Sequence, residues 1–246
     1  MYVGVDGCPA GWIAVLFDED GYRGSGLYGD VEELWTAHGD VADVILIDVP
    51  IGLRERSNAK RPCDDAARER LSPERHSSVF SVPVRAAVHE ECYESAKRTQ
   101  EERTDGSLGV QSWGIADKIA ELDTFLRGTA PEAVGTIREA HPELCFWALN
   151  GESATTYSKT GQPAAAFWER IGILEATDGT VVDDVRDAAT GLDTAVGNDD
   201  VVDAFALALT ASPKTRPLRT LPDGWPDGDP GDPTGALPME VVYAYP

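Results

Sequence analysis

Six carboxylates stand where a fold could gather them. Asp6 closes the apolar run at residues 2–6 (YVGVD), and Asp48 lies near the end of residues 44–49 (VILIDV). Glu139 and Glu143 flank the end of residues 133–139 (AVGTIRE), and Asp200 and Asp203 sit one turn apart within residues 199–211 (DDVVDAFALALTA). If the first and fourth strands are parallel neighbours, Asp6 and Asp48 come close together. Carboxylates drawn out of water need a compensating cation. A set of oxygen donors without clustered Cys or His suits Mg²⁺ or Mn²⁺. Two such ions roughly 3.5–4 Å apart activate water and stabilise the leaving oxygen in phosphodiester hydrolysis. Each acid alone has a plainer reading. Asp6 and Asp48 could accept from backbone amides at strand ends, Asp199 or Asp200 could cap a helix, and Glu143 could complement a helix dipole.

The positioning elements follow from the apolar pattern. Residues 2–6, 12–17 and 22–28 predict three antiparallel strands, joined by turns at residues 7–11 and 18–21. Asp30 followed by Glu33 forms a capping-box pattern that opens a short helix. Residues 44–49, almost continuously apolar and stopped by Pro50, predict a strand buried on both faces. The order is β-β-β-α-β. From residue 52 to 131 the apolar runs give way to charged helical segments, predicting a helical insertion within a single domain spanning residues 1–246. Residues 115–126 carry apolar side chains at 115, 119, 122, 125 and 126, a helical period. Further helices are expected after Pro142, over 162–174 and over 199–211. Residues 212–238 hold seven prolines and are expected to be an irregular Pro/Gly/Asp-rich segment, followed by a terminal strand. Trp12, Trp113, Trp147 and Trp168 fall in apolar patterns and are expected in the core.

Composition narrows the class. With 43 acidic and 21 basic residues the formal charge is −22, too negative for a generic binder of nucleic acid or anionic membrane. A 42% hydrophobic and 26% charged chain can bury a core. Only five basic residues are Lys and the acids are spread throughout, which points to a surface adapted to high salt. Molar salt shortens the Debye length to about 3 Å. Cys8, Cys63, Cys92 and Cys145 form no CxxC pair, and neither a leader-like opening nor an 18-residue apolar run is present. The expectation is a soluble, cytoplasmic protein without membrane contact. Between Arg54 and Arg103 the balance reverses, with 11 basic against 10 acidic residues. This segment is a candidate phosphate-facing wall, or a set of helix-surface ion pairs. Arg54, Arg61, Ser77, Ser78 and Lys159 are the candidate substrate contacts, and Lys159 in SKTG could instead close a loop.

The motifs GVDGCPAGW, LIDVPIGL, HSSVFSVP, EAHPE, TGQPAAAFWERIGIL and DDVVDAFALAL, in that order, carry a resemblance. Together they resemble the family of predicted RNase H-like nucleases catalogued as domain of unknown function 429, from Tyr2 to about Ala211 with the terminal PMEVVYA added. DxxDAFALA is also similar to the last metal-binding helix of Holliday-junction resolvases. The resemblance implies an α/β RNase H-like fold with a mixed sheet and flanking helices. It further implies Asp6, Asp48 and Asp203 as core metal ligands, with Asp200 assisting. Glu139 and Glu143 compete for a further position, with Glu139 favoured as the one nearer the strand. Asp6, Asp48, Glu139 and Asp203 would then be the catalytic set of a Mg²⁺- or Mn²⁺-dependent nuclease whose substrate is DNA or RNA. Family activity inferred from fold indicates a reaction class only. Two alternatives stand beside it. GVDGCPAGW could cradle nucleotide phosphates as in sugar kinases and actin-like ATPases, although no second Gly-rich phosphate loop is visible. The chain could also be a non-catalytic binding protein that retains the fold.

Overall fold

The opening strand β1 (Tyr2–Cys8) turns back into β2 (Gly11–Phe17), which pairs in turn with β3 (Tyr22–Tyr28). Only glycine fits at the first corner: Gly11 has φ +136°, and a Cβ there would lie 2.0 Å from the Tyr28 carbonyl oxygen. Helix α1 (Val31–His38) is capped by Asp30, which accepts from the Glu33 amide, and returns the chain to β4 (Val44–Ile47). β4 runs parallel to β1, and β5 (Ile137–Glu139) runs parallel to β4. The resulting mixed sheet has the order β3-β2-β1-β4-β5. The structure is a computed structural model that describes residues 1–192, 196–223 and 237–246.

Between β4 and β5 lie five α-helices, α2 (Pro62–Arg70), α3 (Arg85–Val88), α4 (Tyr93–Arg103), α5 (Val110–Trp113) and α6 (Ala116–Thr124), with short 3-10 turns at His76–Ser78 and Pro131–Ala133. They occupy the expected insertion, and α6 continues as a π-helical turn, Phe125–Thr129. After β5 come α7 (Pro142–Leu149), α8 (Pro163–Thr177), α9 (Val181–Gly191) and α10 (Asn198–Ala211). The sequence had pointed to all of these but α9, whose buried Val181, Val185 and Ala188 do follow a helical period. The chain is thus mixed α/β. Where residues 212–238 were expected to be irregular throughout, Arg219–Leu221 forms strand β6, paired antiparallel with β7 (Val241–Tyr243). Residues 224–236 of that expectation lie outside the described residues.

Strand alternation divides the core in two. Val3 and Val5 of β1 and Ile45 and Ile47 of β4 pack with α1 and α6. On the opposite face Ile13, Val15 and Phe17 meet α10, while Val44 and Leu46 meet Leu207 and Ala211 of the same helix. α10 is buried from Val201 to Ala211, as its nearly continuous apolar run requires. Trp12 and Trp147 are in the core as expected, but Trp168 is 64% exposed. α8 turns Ala166, Arg170, Ile173 and Leu174 inward at helical spacing, which leaves position 168 on the outer face. Among the described residues no helix is long and apolar enough to cross a membrane.

Candidate functional site

Three elements bring three aspartates to one end of the sheet. In β1, Gly4 and Asp6 alternate with Val3 and Val5 and so face α10. The Asp48 amide donates to the Val5 carbonyl oxygen (3.0 Å), extending the β1–β4 register and setting Asp48 beside Asp6. α10 lies on this strand pair so closely that a Cβ on Gly4 would stand 2.1 Å from the Ala208 nitrogen and 2.2 Å from the Ala204 carbonyl oxygen. That contact carries Asp203 to the same place. Asp6, Asp48 and Asp203 line a cleft of about 770 Å³, with Glu143, Lys159 and Ser78 around them.

The electrostatics show too little positive charge for the carboxylates present. Burial, followed by Asp48 and Asp203, holds the Asp6 carboxyl well above the usual range against the pull of Lys159. Burial also pushes Asp48 up to about 6; Asp203 and Glu143 add to the rise, whereas His141 and Lys159 oppose it. Asp203 is raised by burial as well, again against Lys159. The ammonium of Lys159 pairs with Asp203 Oδ2. Burial alone would lower the Lys159 pKa, but Asp203, Glu143 and Asp6 outweigh it, so the lysine stays charged. The Gly7 amide donates to Asp6 Oδ1 (2.8 Å). No hydrogen bond to the Asp48 carboxylate is found among the described residues. Asp203, 5% exposed, keeps Oδ1 buried without any hydrogen-bond partner among them. An orphaned buried carboxylate oxygen beside two reluctant acids fits a hard divalent cation such as Mg²⁺ or Mn²⁺.

The remaining sequence candidates separate. Glu139, favoured over Glu143 for its nearness to the strand, also lines the cleft, but from the other face of the sheet. It pairs in register with Ile47 and follows Ile137 by two residues, so alternation turns it toward the insertion. There both its oxygens accept from Arg61 (2.6 and 2.8 Å) and Oε2 also from the Ile51 amide (2.6 Å). Burial raises Glu139 to about 7 against the pull of Arg61. Cys63, Asp64 and Glu139 place potential ligand atoms within 4.8 Å of one another. The Arg61 guanidinium already serves as the cation there, because it bonds both Asp64 oxygens (2.6 and 2.9 Å) as well as Glu139. Arg61, which also lines the cleft, is thus the buried counter-ion of Glu139 and Asp64.

Glu143 lies at the aspartate cleft, ionised: burial is overcome by Arg170, which pairs with Oε1, and by Thr155, which donates to Oε2 (2.8 Å). Asp200 accepts from the Gly197 amide (3.0 Å) as part of the α10 cap, and it does not line the cleft. Its charge nevertheless contributes to raising Asp6. Arg54 donates to the Lys60 carbonyl oxygen (2.9 Å) and also stands outside the lining. Ser77 and Ser78 do line it. The Ser78 hydroxyl donates to the Arg75 carbonyl oxygen (2.7 Å). His141 caps α7, its Nδ1 accepting from the Glu143 amide (3.2 Å). Arg75 was not singled out from sequence. It lines the cleft, donates through Nε to Thr155 (2.8 Å), and keeps Nη2 buried without a partner among the described residues. The signal was there only as one of 11 basic residues in the insertion.

Parallel strand ends that gather carboxylates beneath a helix define a mixed α/β protein with an acidic cleft. The chain belongs to the family described as protein of unknown function (DUF429), whose family model matches residues 4–224. Neither the curated proteins nor the solved structures include a match.

Proposed function

We infer that the chain is a metal-dependent phosphodiesterase of RNase H-like fold acting on nucleic acid, with Asp6, Asp48 and Asp203 as the metal-holding set. The observation that carries this reading is the unpartnered, buried Asp203 Oδ1 beside two carboxyls with raised pKa. The strand order β3-β2-β1-β4-β5 with α10 across β1 supports the fold assignment. A bound Mg²⁺ or Mn²⁺ supplies an activated water and stabilises the leaving oxygen. The chain's own residues do the rest. Gly7 orients Asp6, Lys159 offsets one charge of Asp203, and the Arg75 guanidinium with Ser77 offers donors to a phosphate. Glu143, on the same face as the three aspartates, is the further carboxylate this reading favours at the edge of the set, held by Arg170 and Thr155. The acidic composition suits work in a salt-rich cytoplasm, where screening lets an anionic substrate approach a −22 protein.

The test is cleavage of labelled single-stranded, duplex, hybrid and branched nucleic acids in molar KCl with Mg²⁺ or Mn²⁺. Wild type is expected to cut at least one substrate, and Asp6→Asn and Asp203→Asn to fall to background while keeping their fold by circular dichroism. Full cleavage by either folded variant would remove the site. Absence of cutting by wild type in every condition would overturn the nuclease reading.

A further inference from the structure

A second cavity, of about 600 Å³, adjoins the aspartate cleft. Its walls include Phe167 and Trp168 of α8 and Asn198 and Val202 of α10, and Lys159 lines both cavities. α10 thus serves the two at once, with Val202 turned to the second and Asp203 to the first. Asn198 precedes Asp203 by five residues, about 7.5 Å along the helix axis, on the order of one nucleotide's reach.

The aromatic character of this cavity is what asks for a ligand. Trp168 is 64% exposed and stands edge-on to Phe167, with ring centroids 5.3 Å apart. Four large hydrophobic residues are markedly exposed among those described, and two of them flank Lys159: Tyr157, two residues before it in the chain, and Trp168 across the cavity. A flat indole face, an amide able to donate and accept at once, and an ammonium next to the acids match a nucleobase and its phosphate.

We propose that this cavity holds the base of an unpaired nucleotide next to the scissile phosphate, stacked on Trp168, so that the substrate is single-stranded nucleic acid. This rests on the phosphodiesterase reading and names its substrate class. In a duplex both faces of each base are covered by neighbours, and only an unpaired base can offer one to the indole. The choice also suits the surface. A chain of charge −22 working in high salt gains little from backbone phosphates, whose contribution falls steeply as salt rises, whereas stacking is not screened.

Binding is measured by fluorescence anisotropy of a labelled oligothymidylate and of a blunt duplex of equal length. The full chain is used in molar KCl with EDTA, so that cleavage does not intervene. Single strand is expected to bind more tightly than duplex. Trp168→Ala is expected to weaken single-strand binding about 5- to 150-fold, the range for loss of one stacked base. Trp168→Phe should retain most of the affinity, and Val110→Ala, a second exposed apolar site, should change nothing. Equal binding of single strand by wild type and Trp168→Ala, equal affinity for the two nucleic acids, or no binding of either would overturn the proposal. So would a change in sedimentation on Trp168→Ala without loss of binding, which would make the patch a contact between copies. The two readings fail separately. Cleavage that survives with unaltered Trp168→Ala binding removes only the stacking site, while Trp168-dependent binding without cleavage by wild type removes only the nuclease.

Discussion

Replacing Asp48 by Asn removes one negative charge from the cleft at nearly constant volume. Because burial and the neighbouring acids push the Asp48 carboxyl from its ordinary 3.8 to about 6, its ionised form is disfavoured in the folded protein. A shift of about two units corresponds to about 3 kcal/mol, so a gain of about 1–3 kcal/mol is expected. The sign follows from linkage. The folded state binds the Asp48 proton more tightly than the unfolded state, so the penalty is absent below about pH 4 and complete above about pH 7. Without divalent metal, Asp48→Asn should therefore be more stable than wild type at about pH 8, and the advantage should vanish towards about pH 4. Urea denaturation followed by tryptophan fluorescence reads both. Adding Mn²⁺ should narrow the gap, since a ligand at 100 times its Kd stabilises the wild type by about 2.7 kcal/mol and the variant by less. A variant less stable than wild type at about pH 8 without metal, or a gap that ignores pH, would refute the account of the cleft as an excess of buried charge.

Gly4→Ala should force α10 away from β1, at about 1–3 kcal/mol or more, and weaken Mn²⁺ binding by shifting Asp203; an unchanged melting temperature would show the helix yields freely. Arg61→Ala should destabilise the fold by about 3–5 kcal/mol, because Glu139 and Asp64 are left buried without their cation. Glu139→Gln, by contrast, should leave Mn²⁺ affinity unchanged in calorimetry, and a loss as large as that of Asp203→Asn would return Glu139 to the metal set. Lys159→Ala removes the cation that competes for Asp203, so Mn²⁺ affinity should rise by about tenfold; a fall would make Lys159 part of the metal-binding geometry.

The local pattern already contained most of the elements and the three aspartates that meet at the cleft. The alternation and turns of residues 2–28, the cap at Asp30 and the buried run before Asp48 depend on neighbours a few positions apart, and they appear where that pattern puts them. Asp6 and Asp48 follow from two strand ends, and Asp203 from a helix too apolar to lie anywhere but on the sheet. α9 is legible in the spacing of Val181, Val185 and Ala188, whereas β6 is a three-residue strand paired with β7.

Tertiary structure decided which way each side chain turned and what met it there. The register of β5 against β4 set Glu139 on the insertion face, where Arg61, 78 residues earlier, became its counter-ion. Lys159 reaches Asp203 across 44 residues from a loop with no periodicity to place it. Trp168 has the composition of a core residue, and it lies outside because α8 buries a different stripe. Apolar periodicity is a property of neighbouring positions and is written in the chain; partnership between charges distant in sequence depends on packing and arises only once the sheet and its helices have closed together.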